Sequence, residues 1–131
     1  MYSYKNSTEI AHAWIKAVNS GNVSSILELY SQDAILMPTF SPHNLRTSEA
    51  RARYFELLSS RKGFSVSLHE KTLAVQNVAP GIETVTGIYR FHLDLDDEPL
   101  VFEARFSLTV DLNRSGPILH HHSSQIPRTL S

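Results

Sequence analysis

The stretch VTGIYRFHL, residues 85–93, alternates apolar and polar side chains along its length. A period of two predicts a β-strand with one face on a core and one face away from it. The stretch VFEARFSLTVDL, residues 101–112, alternates in the same way after an acidic turn at residues 94–99. The short connection predicts that these two strands pair with each other.

Further strands flank this pair. Residues 64–68 alternate and residues 73–78 read as another strand, before a turn at Pro80 and Gly81. Residues 113–117 form the next turn, and residues 118–124 read as the last strand. The second half of the chain is therefore predicted to be an antiparallel sheet.

The first half has helical spacing instead. Apolar side chains recur at helical intervals in residues 8–20, where Ser7 or Thr8 can cap the start and Gly21 the end. A shorter helical stripe covers residues 23–30, and a third helix is predicted from about residue 48 to residue 60. Its predicted apolar face is formed by four residues, Ala50, Tyr54, Leu57 and Leu58. A brief apolar run at residues 34–37, stopped by Pro38, reads as a strand. Helices followed by strands predict an α+β fold, with three N-terminal helices packed on one face of a strongly curved antiparallel sheet.

Length and composition exclude several classes of protein. The 131 residues fit a single domain, with an ordered core expected at about residues 7–127. A net charge of −1 with dispersed Lys and Arg gives no footprint for nucleic acid or an anionic membrane. The absence of cysteine excludes disulfides and thiolate chemistry. No run is apolar enough for a membrane span or a signal peptide, so a cytoplasmic location is expected. No Gly-rich phosphate loop is present, and we assign no cofactor.

Five segments, in order, carry a resemblance to a known family. They are LYSQDAILMPT at residues 29–39, YF at residues 54–55, GIYRF at residues 87–91, ARFSL at residues 104–108 and HHSSQIP at residues 121–127. Together they resemble the association (hub) domain of calcium/calmodulin-dependent protein kinase II. That domain belongs to the SnoaL-like, nuclear-transport-factor-like superfamily of cystatin-like cones.

The resemblance implies a cone of helices against a bent sheet, which in this superfamily often dimerises through the sheet. Relatives include ketosteroid isomerases and SnoaL-like polyketide cyclases. A kinase domain does not fit in 131 residues, so the kinase-linked role does not transfer. Arg90 and Arg105 resemble two pocket arginines of the hub, whereas the position of a third carries Ser123. Gly116 stands where the family usually has Trp.

The most unusual stretch is HHHSS at residues 120–124. On a strand, His120, His122 and Ser124 share one face, and His121 and Ser123 share the other. Histidine titrates near neutral pH, so His120 or His122 is a candidate general base. The partner in such chemistry would be a tyrosine hydroxyl that stabilises an oxyanion, from Tyr30, Tyr54 or Tyr89. The alternative is that the histidines form hydrogen bonds in the core or line a subunit interface.

A His-x-His pair can also chelate a metal ion, but zinc usually needs a third protein ligand. His92, Glu103 and Asp111 are available, and the spacing selects none of them. We therefore assign no metal site.

Arg90 and Arg105 lie in the two long strands and allow two interpretations. An inward pair would need a carboxylate partner or an anionic ligand, because a buried guanidinium is unfavourable when unpaired. On an outer face, Arg90 or Arg105 would pair across strands with Glu103 or Asp94. Both arginines share a strand parity with His92, Asp94, Glu103 and Ser107, opposite to an apolar set. That set comprises Tyr89, Phe91, Leu93, Phe102, Ala104, Phe106 and Leu108.

These observations lead to two functional hypotheses. The first is a self-associating cone, a homodimer or larger ring, whose pocket binds a small polar or anionic molecule. The ligand-binding candidates are Arg90, Arg105, His120, His122 and Ser123. Self-association is expected because Phe102, Phe106, Leu108 and Val110 would be a large apolar surface if that face pointed outward. The second hypothesis is a small enzyme of the isomerase, cyclase or dehydratase kind with a histidine base in the cone.

Overall fold

Three helices lie on one face of a five-stranded sheet in the computed structural model, which describes residues 3–127 and 129–130. Expectations that cover positions 1, 2, 128 and 131 lie outside these ranges. The α+β fold class is confirmed. The elements in chain order are α1 (Ser7–Ser20), α2 (Val23–Leu27), β1 (Tyr30–Met37), α3 (Ser48–Ser59), β2 (Ser65–Ala79), β3 (Ile82–Leu95), β4 (Glu98–Asp111) and β5 (Ile118–Gln125).

The helix ends follow local side-chain chemistry. Asn6 caps α1, where its side-chain oxygen accepts a hydrogen bond from the Glu9 backbone N–H at 2.9 Å. The cap is thus one residue earlier than predicted. Gly21 ends α1 with φ of 71°, a left-handed conformation that favours glycine. The C-terminal prediction is confirmed.

The sheet order is β1-β5-β4-β3-β2. Strands β2 to β5 pair antiparallel in sequence, and β1 pairs with β5 in parallel. The prediction of a wholly antiparallel sheet was therefore wrong at one edge. The connection from β1 to β2 passes through α3 and carries the chain to the opposite edge of the sheet, so β1 is free to run in the same direction as β5.

Two strands differ from their predicted lengths. Strand β2 is continuous over Ser65–Ala79 instead of two strands, and its register shifts between His69 and Ala74. Strand β1 begins at Tyr30, four residues before the predicted start, and its register shifts between Tyr30 and Ile35. Both irregularities interrupt the alternation of side chains, which hid these segments from pattern analysis.

The apolar set of β3 and β4 faces the helices. Phe106, Leu108 and Val110 are buried in the core, and Phe102 is half-buried against it. The argument that these four residues form an exposed apolar surface was therefore wrong, because α1 and the segment after β1 cover that face. Any self-association must use other residues.

Candidate functional site

Strand β5 divides its histidines between the two faces of the sheet. His121 and Ser123 point toward the helices and are 1% and 4% exposed. His120 is half-buried and His122 is exposed on the opposite face. The predicted split of this strand is confirmed. The two general-base candidates, His120 and His122, lie outside the cone, so a base in the cone cannot be either of them.

A chain of buried hydrogen bonds passes through His121. The Trp14 indole N–H donates to the Tyr30 hydroxyl at 2.9 Å, and that hydroxyl is 2.8 Å from His121 Nδ1. On the other side of the ring, His121 Nε2 is 3.2 Å from the Tyr89 hydroxyl. We call Trp14, Tyr30, His121 and Tyr89 the cone network.

Donor chemistry fixes the direction of the hydrogen bonds in this network. An indole N–H can only donate, so the Tyr30 oxygen accepts from Trp14. The Tyr30 hydroxyl then donates to His121 Nδ1. The His121 proton is therefore on Nε2, and this N–H donates to the Tyr89 oxygen. In this neutral form every polar side-chain atom of Trp14, Tyr30 and His121 has a hydrogen-bond partner, as a buried site requires.

Burial sets the ionisation of the cone network. The pKa of His121 is lowered to about 3, mainly by desolvation and to a smaller extent by the neighbouring His120 and His122. Burial also raises the pKa of Tyr30 and Tyr89 above the ordinary tyrosine value. At neutral pH the whole network is uncharged, so His121 acts as a hydrogen-bonding group and is a weak base.

The cone network ends at a cluster of hydroxyl groups. Thr39 and Ser123 form a hydrogen bond with each other, and both interact with Tyr89, where they oppose the effect of burial on its pKa. The adjoining cavity has a volume of about 10 Å³. That volume holds at most about one water molecule.

An aromatic residue closes this end of the cone. The Phe40 ring packs edge-on against Phe91 and Phe102, with centroid distances of 5.2 Å and 5.5 Å. The Phe40 backbone N–H donates to the Tyr54 hydroxyl at 3.3 Å. Phe91 and Tyr54 both line the small cavity, so the segment after β1 packs against its wall.

Arg51 is a buried cation that the sequence analysis did not single out. It is 1% exposed, and among the described residues no carboxylate lies within 4 Å of its guanidinium. Its partners are backbone carbonyls, with Ala34 at 2.8 Å, Ser31 at 3.1 Å and Gln32 at 3.3 Å. Its guanidinium carbon also lies 5.6 Å from the centre of the Tyr30 ring.

The position of Arg51 explains how β1 keeps its irregular shape. Residues 31–34 of β1 lie between the paired residues Tyr30 and Ile35, where β5 offers only Leu119 in between. Arg51 binds the carbonyls of that irregular segment and so helps to place the Tyr30 hydroxyl in the cone network. The spacing of Arg51, Phe55 and Leu58 in the sequence places them on one helix face, which could have indicated Arg51. All three residues are buried in the structure. The predicted face included Leu57, which is 68% exposed, and was therefore wrong at that residue.

Arg90 and Arg105 lie on the side of the sheet away from the helices. Arg90 Nε is 3.0 Å from Glu103 Oε2, directly across the strand pair, and both side chains are 47% exposed. Arg105 is exposed beside Ser124 in the register of β4 and β5. The outer-face interpretation is thus the one observed. Of the five candidate ligand residues, Ser123 lies inside the cone, and the other four lie outside, so they do not share one pocket.

An open groove lies elsewhere on the surface. It has a volume of about 1620 Å³ and runs between α1, α2, the start of β1 and the turn before β5. In that turn, a Cβ on Gly116 would lie 2.6 Å from the Tyr30 carbonyl oxygen, so this close approach requires glycine. Arg114 lies in the groove wall, 3.7 Å from Asp33 and 3.4 Å from Asp111.

Two further searches concern the described residues alone. They contain no cluster of three or more His, Asp or Glu side chains that could hold a metal ion. None of their helices is long and apolar enough to cross a membrane.

Comparison with known proteins identifies the fold. A protein from Xanthomonas campestris, assigned to the calcium/calmodulin dependent protein kinase II association domain, is 26% identical with a TM-score of 0.80, covering 96% of this chain and 91% of its own. A cystatin-like protein from Caulobacter vibrioides is 16% identical with a TM-score of 0.75, covering 92% and 87%. A ketosteroid isomerase-like protein from Erwinia carotovora is 13% identical with a TM-score of 0.76, covering 92% and 94%. No protein-family model and no curated protein matches the sequence.

The chain therefore has the cystatin-like cone fold. Within that class, its neighbours include the kinase II association-domain group that the five sequence motifs resemble.

Proposed function

We propose that this chain is a self-associating cone domain whose copies meet through the outer sheet face. The carrying observation is that no helix among the described residues packs on this face, although it extends over all five strands. We define the outer sheet face by the side chains that point away from the helices. They include Ile35, Met37, Ser65, Ser67, Thr84, Thr86, Ile88, Arg90, His92, Glu103, Arg105, Ser107, Thr109, His120, His122 and Ser124.

The composition of the outer sheet face favours contact with its own copy. Its central residues Thr86, Ser107 and Thr109 carry small side chains. Arg90 and Glu103 bring both signs of charge, so a two-fold contact can place opposite charges together. Arg105 has no ion pair within 4 Å among the described residues and is available for a partner.

The size of the outer sheet face is also adequate. Strands of 8 to 15 residues at a spacing of roughly 4.8 Å, with a rise of roughly 3.3 Å per residue, give a face on the order of 900 Å². A stable interface buries about 800 Å² per partner. Similarity to the Xanthomonas protein, which is assigned to an association domain, supports the same proposal.

The test is the mass of the protein in solution. Ser107→Arg places a cation at the centre of the outer sheet face, where a two-fold contact would bring it close to the same residue of the partner. Sedimentation velocity should give a dimer or larger species for the native chain and a monomer for Ser107→Arg. Ser24→Arg, the same change on exposed α2, is the matched control and should leave the mass unchanged. A native chain that stays monomeric at roughly 100 μM, about a hundredfold above a Kd of 1 μM, would contradict the proposal.

The cone network supports a second candidate function, the binding of a small molecule inside the cone. The observation is that the hydrogen-bond chain ends at the hydroxyl groups of Thr39, Ser123 and Tyr89 beside a cavity. Neutral hydroxyls suit a neutral ligand with a hydroxyl or carbonyl group. The ketosteroid isomerase-like neighbour supports an enzyme of the isomerase, cyclase or dehydratase kind. In such an enzyme Tyr89 would be the hydrogen-bond donor, and the base would have to come from the ligand, because burial lowers the pKa of His121 to about 3.

An anionic ligand would instead bind on the outer sheet face, where Arg105 and His122 lie on adjacent strands. Titration of ¹⁵N-labelled protein with phenol and with acetate separates the two sites. Phenol should shift the signals of Ser123 and His121, and acetate those of Arg105 and His122. Ser123→Val should abolish the phenol shifts and leave the acetate shifts. If neither probe shifts any of these signals at roughly 10 mM, about tenfold above a Kd of 1 mM, the binding proposals fail.

A further inference from the structure

Strand β2 exposes one half of its backbone edge. It is the last strand in the sheet order, and β3 is its one strand neighbour among the described residues. We call residues 73–79, LAVQNVA, the free edge segment. Its residues 74–79 are exposed, with Val75 at 45% and Val78 at 60%. No charged residue occurs between Lys71 and Glu83.

The other half of the same edge is covered by side chains of α1. The Asn19 side chain donates to the Val66 carbonyl at 2.8 Å and accepts from the Val66 N–H at 2.8 Å, as a neighbouring strand would. His12 on α1 pairs with Glu70 at 2.7 Å. Asn19 thus occupies the backbone edge at Val66, and the His12–Glu70 side-chain pair holds α1 beside the strand as far as residue 70.

The opposite edge of the sheet is covered as well. Leu36 of β1 exchanges two backbone hydrogen bonds with Leu45, at 3.0 Å and 2.8 Å. Across the described residues, the hydrogen bonds of the free edge segment go to β3 and not to any other element. Both edges thus carry contacts elsewhere, and residues 73–79 form a stretch where none is seen among the described residues.

An uncharged apolar strand with an open edge is the kind of surface on which another strand pairs. We propose that the free edge segment pairs antiparallel with the free edge segment of a second copy, which joins two sheets edge to edge. A second copy fits for two reasons. Its matching strand has the same free length, and the absence of charge removes the like-charge repulsion that two identical strands would otherwise bring together.

The contact is small and acts together with the proposed outer-face dimer, on which its effect rests. Seven residues span roughly 23 Å. A single pair of such strands buries less than the about 800 Å² per partner of a stable interface. Edge pairing alone is thus weak, but it links outer-face dimers into tetramers or longer assemblies when two contacts act at once.

The first test changes the free edge segment alone. Val78→Lys places a charge on each of two pairing strands, and Val75→Lys does the same at a second position. Leu57→Lys is the matched control. Leu57 is 68% exposed, against 60% for Val78, but it lies on α3. Sedimentation velocity over a hundredfold range of concentration should give assemblies beyond the dimer for the native chain and Leu57→Lys. Both β2 variants should stop at the dimer.

Comparison of the two single variants, Ser107→Arg and Val78→Lys, separates this inference from the proposed function. If Ser107→Arg gives a monomer and Val78→Lys gives a dimer, both contacts exist. If Ser107→Arg leaves the mass unchanged while Val78→Lys lowers it, edge pairing stands and the outer-face proposal fails. If the native chain and Val78→Lys have the same mass at every concentration, edge pairing is overturned.

Hydrogen–deuterium exchange locates the contact. In the native chain, amides of residues 73–79 should exchange at least tenfold more slowly at high than at low protein concentration, whereas amides near Leu57 should not change. Equal exchange rates at both concentrations, or protection that appears only when a peptide of another sequence is added, would overturn pairing with a second copy.

Discussion

The two faces of β5 carry the same type of residue in opposite environments. His121 lies inside the cone between two tyrosine hydroxyls, and its pKa is lowered to about 3. His120 and His122, its direct neighbours, lie on the outer sheet face. Three consecutive histidines therefore do not form one functional group. Burial makes the inner residue part of the structure, and exposure leaves the outer two available for a partner or ligand.

The arginines repeat this contrast. Arg51 is enclosed and bound by backbone carbonyls, whereas Arg90 and Arg105 lie at the outer surface. If the comparison is correct, substitutions on the inner side should lower the free energy of unfolding, and those on the outer side should change association instead.

Arg51→Met should have the largest effect on stability. The variant keeps apolar contact but leaves the carbonyls of Ser31, Gln32 and Ala34 without their donor, and each buried unsatisfied acceptor costs roughly 1–3 kcal/mol. We expect a loss of about 3–5 kcal/mol in the free energy of unfolding, measured with urea. Arg53→Met, an exposed position on the same helix, should change it by less than about 0.5 kcal/mol. Equal effects of the two variants would contradict the role of Arg51.

His121→Phe tests the inner histidine directly. It retains a ring of similar shape but leaves the hydroxyls of Tyr30 and Tyr89 without their central partner. The expected loss is about 2–3 kcal/mol, from two buried groups that lose a hydrogen bond. His122→Phe, one residue away, should stay within about 0.5 kcal/mol in the monomeric Ser107→Arg background. A loss of similar size from His122→Phe would break the comparison.

The dependence of stability on pH sharpens the same point. The pKa of His121 is lowered in the folded chain, so the unfolded chain binds its proton more readily. The stabilisation is complete above about pH 6.5, the unfolded value, and declines toward pH 3 by as much as about 1.4 kcal/mol per pH unit. Urea unfolding from pH 7 to pH 4 should show this slope in the native chain and a slope smaller by one proton in His121→Phe. Parallel slopes would mean that His121 is protonated in the folded state.

Arg90→Ala should have the smallest effect. The ion pair with Glu103 is half-exposed, and such pairs contribute about 0–1 kcal/mol. We expect a loss of about 0.5 kcal/mol or less that disappears in 1 M salt, where charges are screened within about 3 Å. Arg105→Ala, which removes no ion pair among the described residues, is the control. A loss above about 2 kcal/mol from Arg90→Ala would place Arg90 in a buried environment and contradict the outer-face assignment.

Pattern analysis predicts the parts of this fold that regular strands dictate. The alternation around Tyr89 and Phe106 correctly separates the two faces of β3 and β4. It does not say which face of β5 is buried, because both faces of HHHSS are polar. Alternation separates two sets of side chains but does not identify the set that faces the core. The cone network depends on a tertiary contact between Tyr30 and His121, which no local pattern contains.

The irregular segments were missed for a different reason. The shift in β1 removes the alternation, and the buried partner of that shift, Arg51, is a residue type that is rarely buried. Likewise, the parallel pairing of β1 follows from where α3 carries the chain, a property of the whole topology.

The place of β5 in the sheet also bears on the order in which the chain can fold. Strands β2, β3 and β4 are joined by short turns and pair with their sequence neighbours. Strand β1 has β5 as its partner, and the Tyr30–His121 hydrogen bond closes a separation of 91 residues. Loop closure over such a distance slows folding. The antiparallel β2–β3–β4 unit can therefore form early. Strand β1 joins the sheet only when β5 takes its position between β1 and β4.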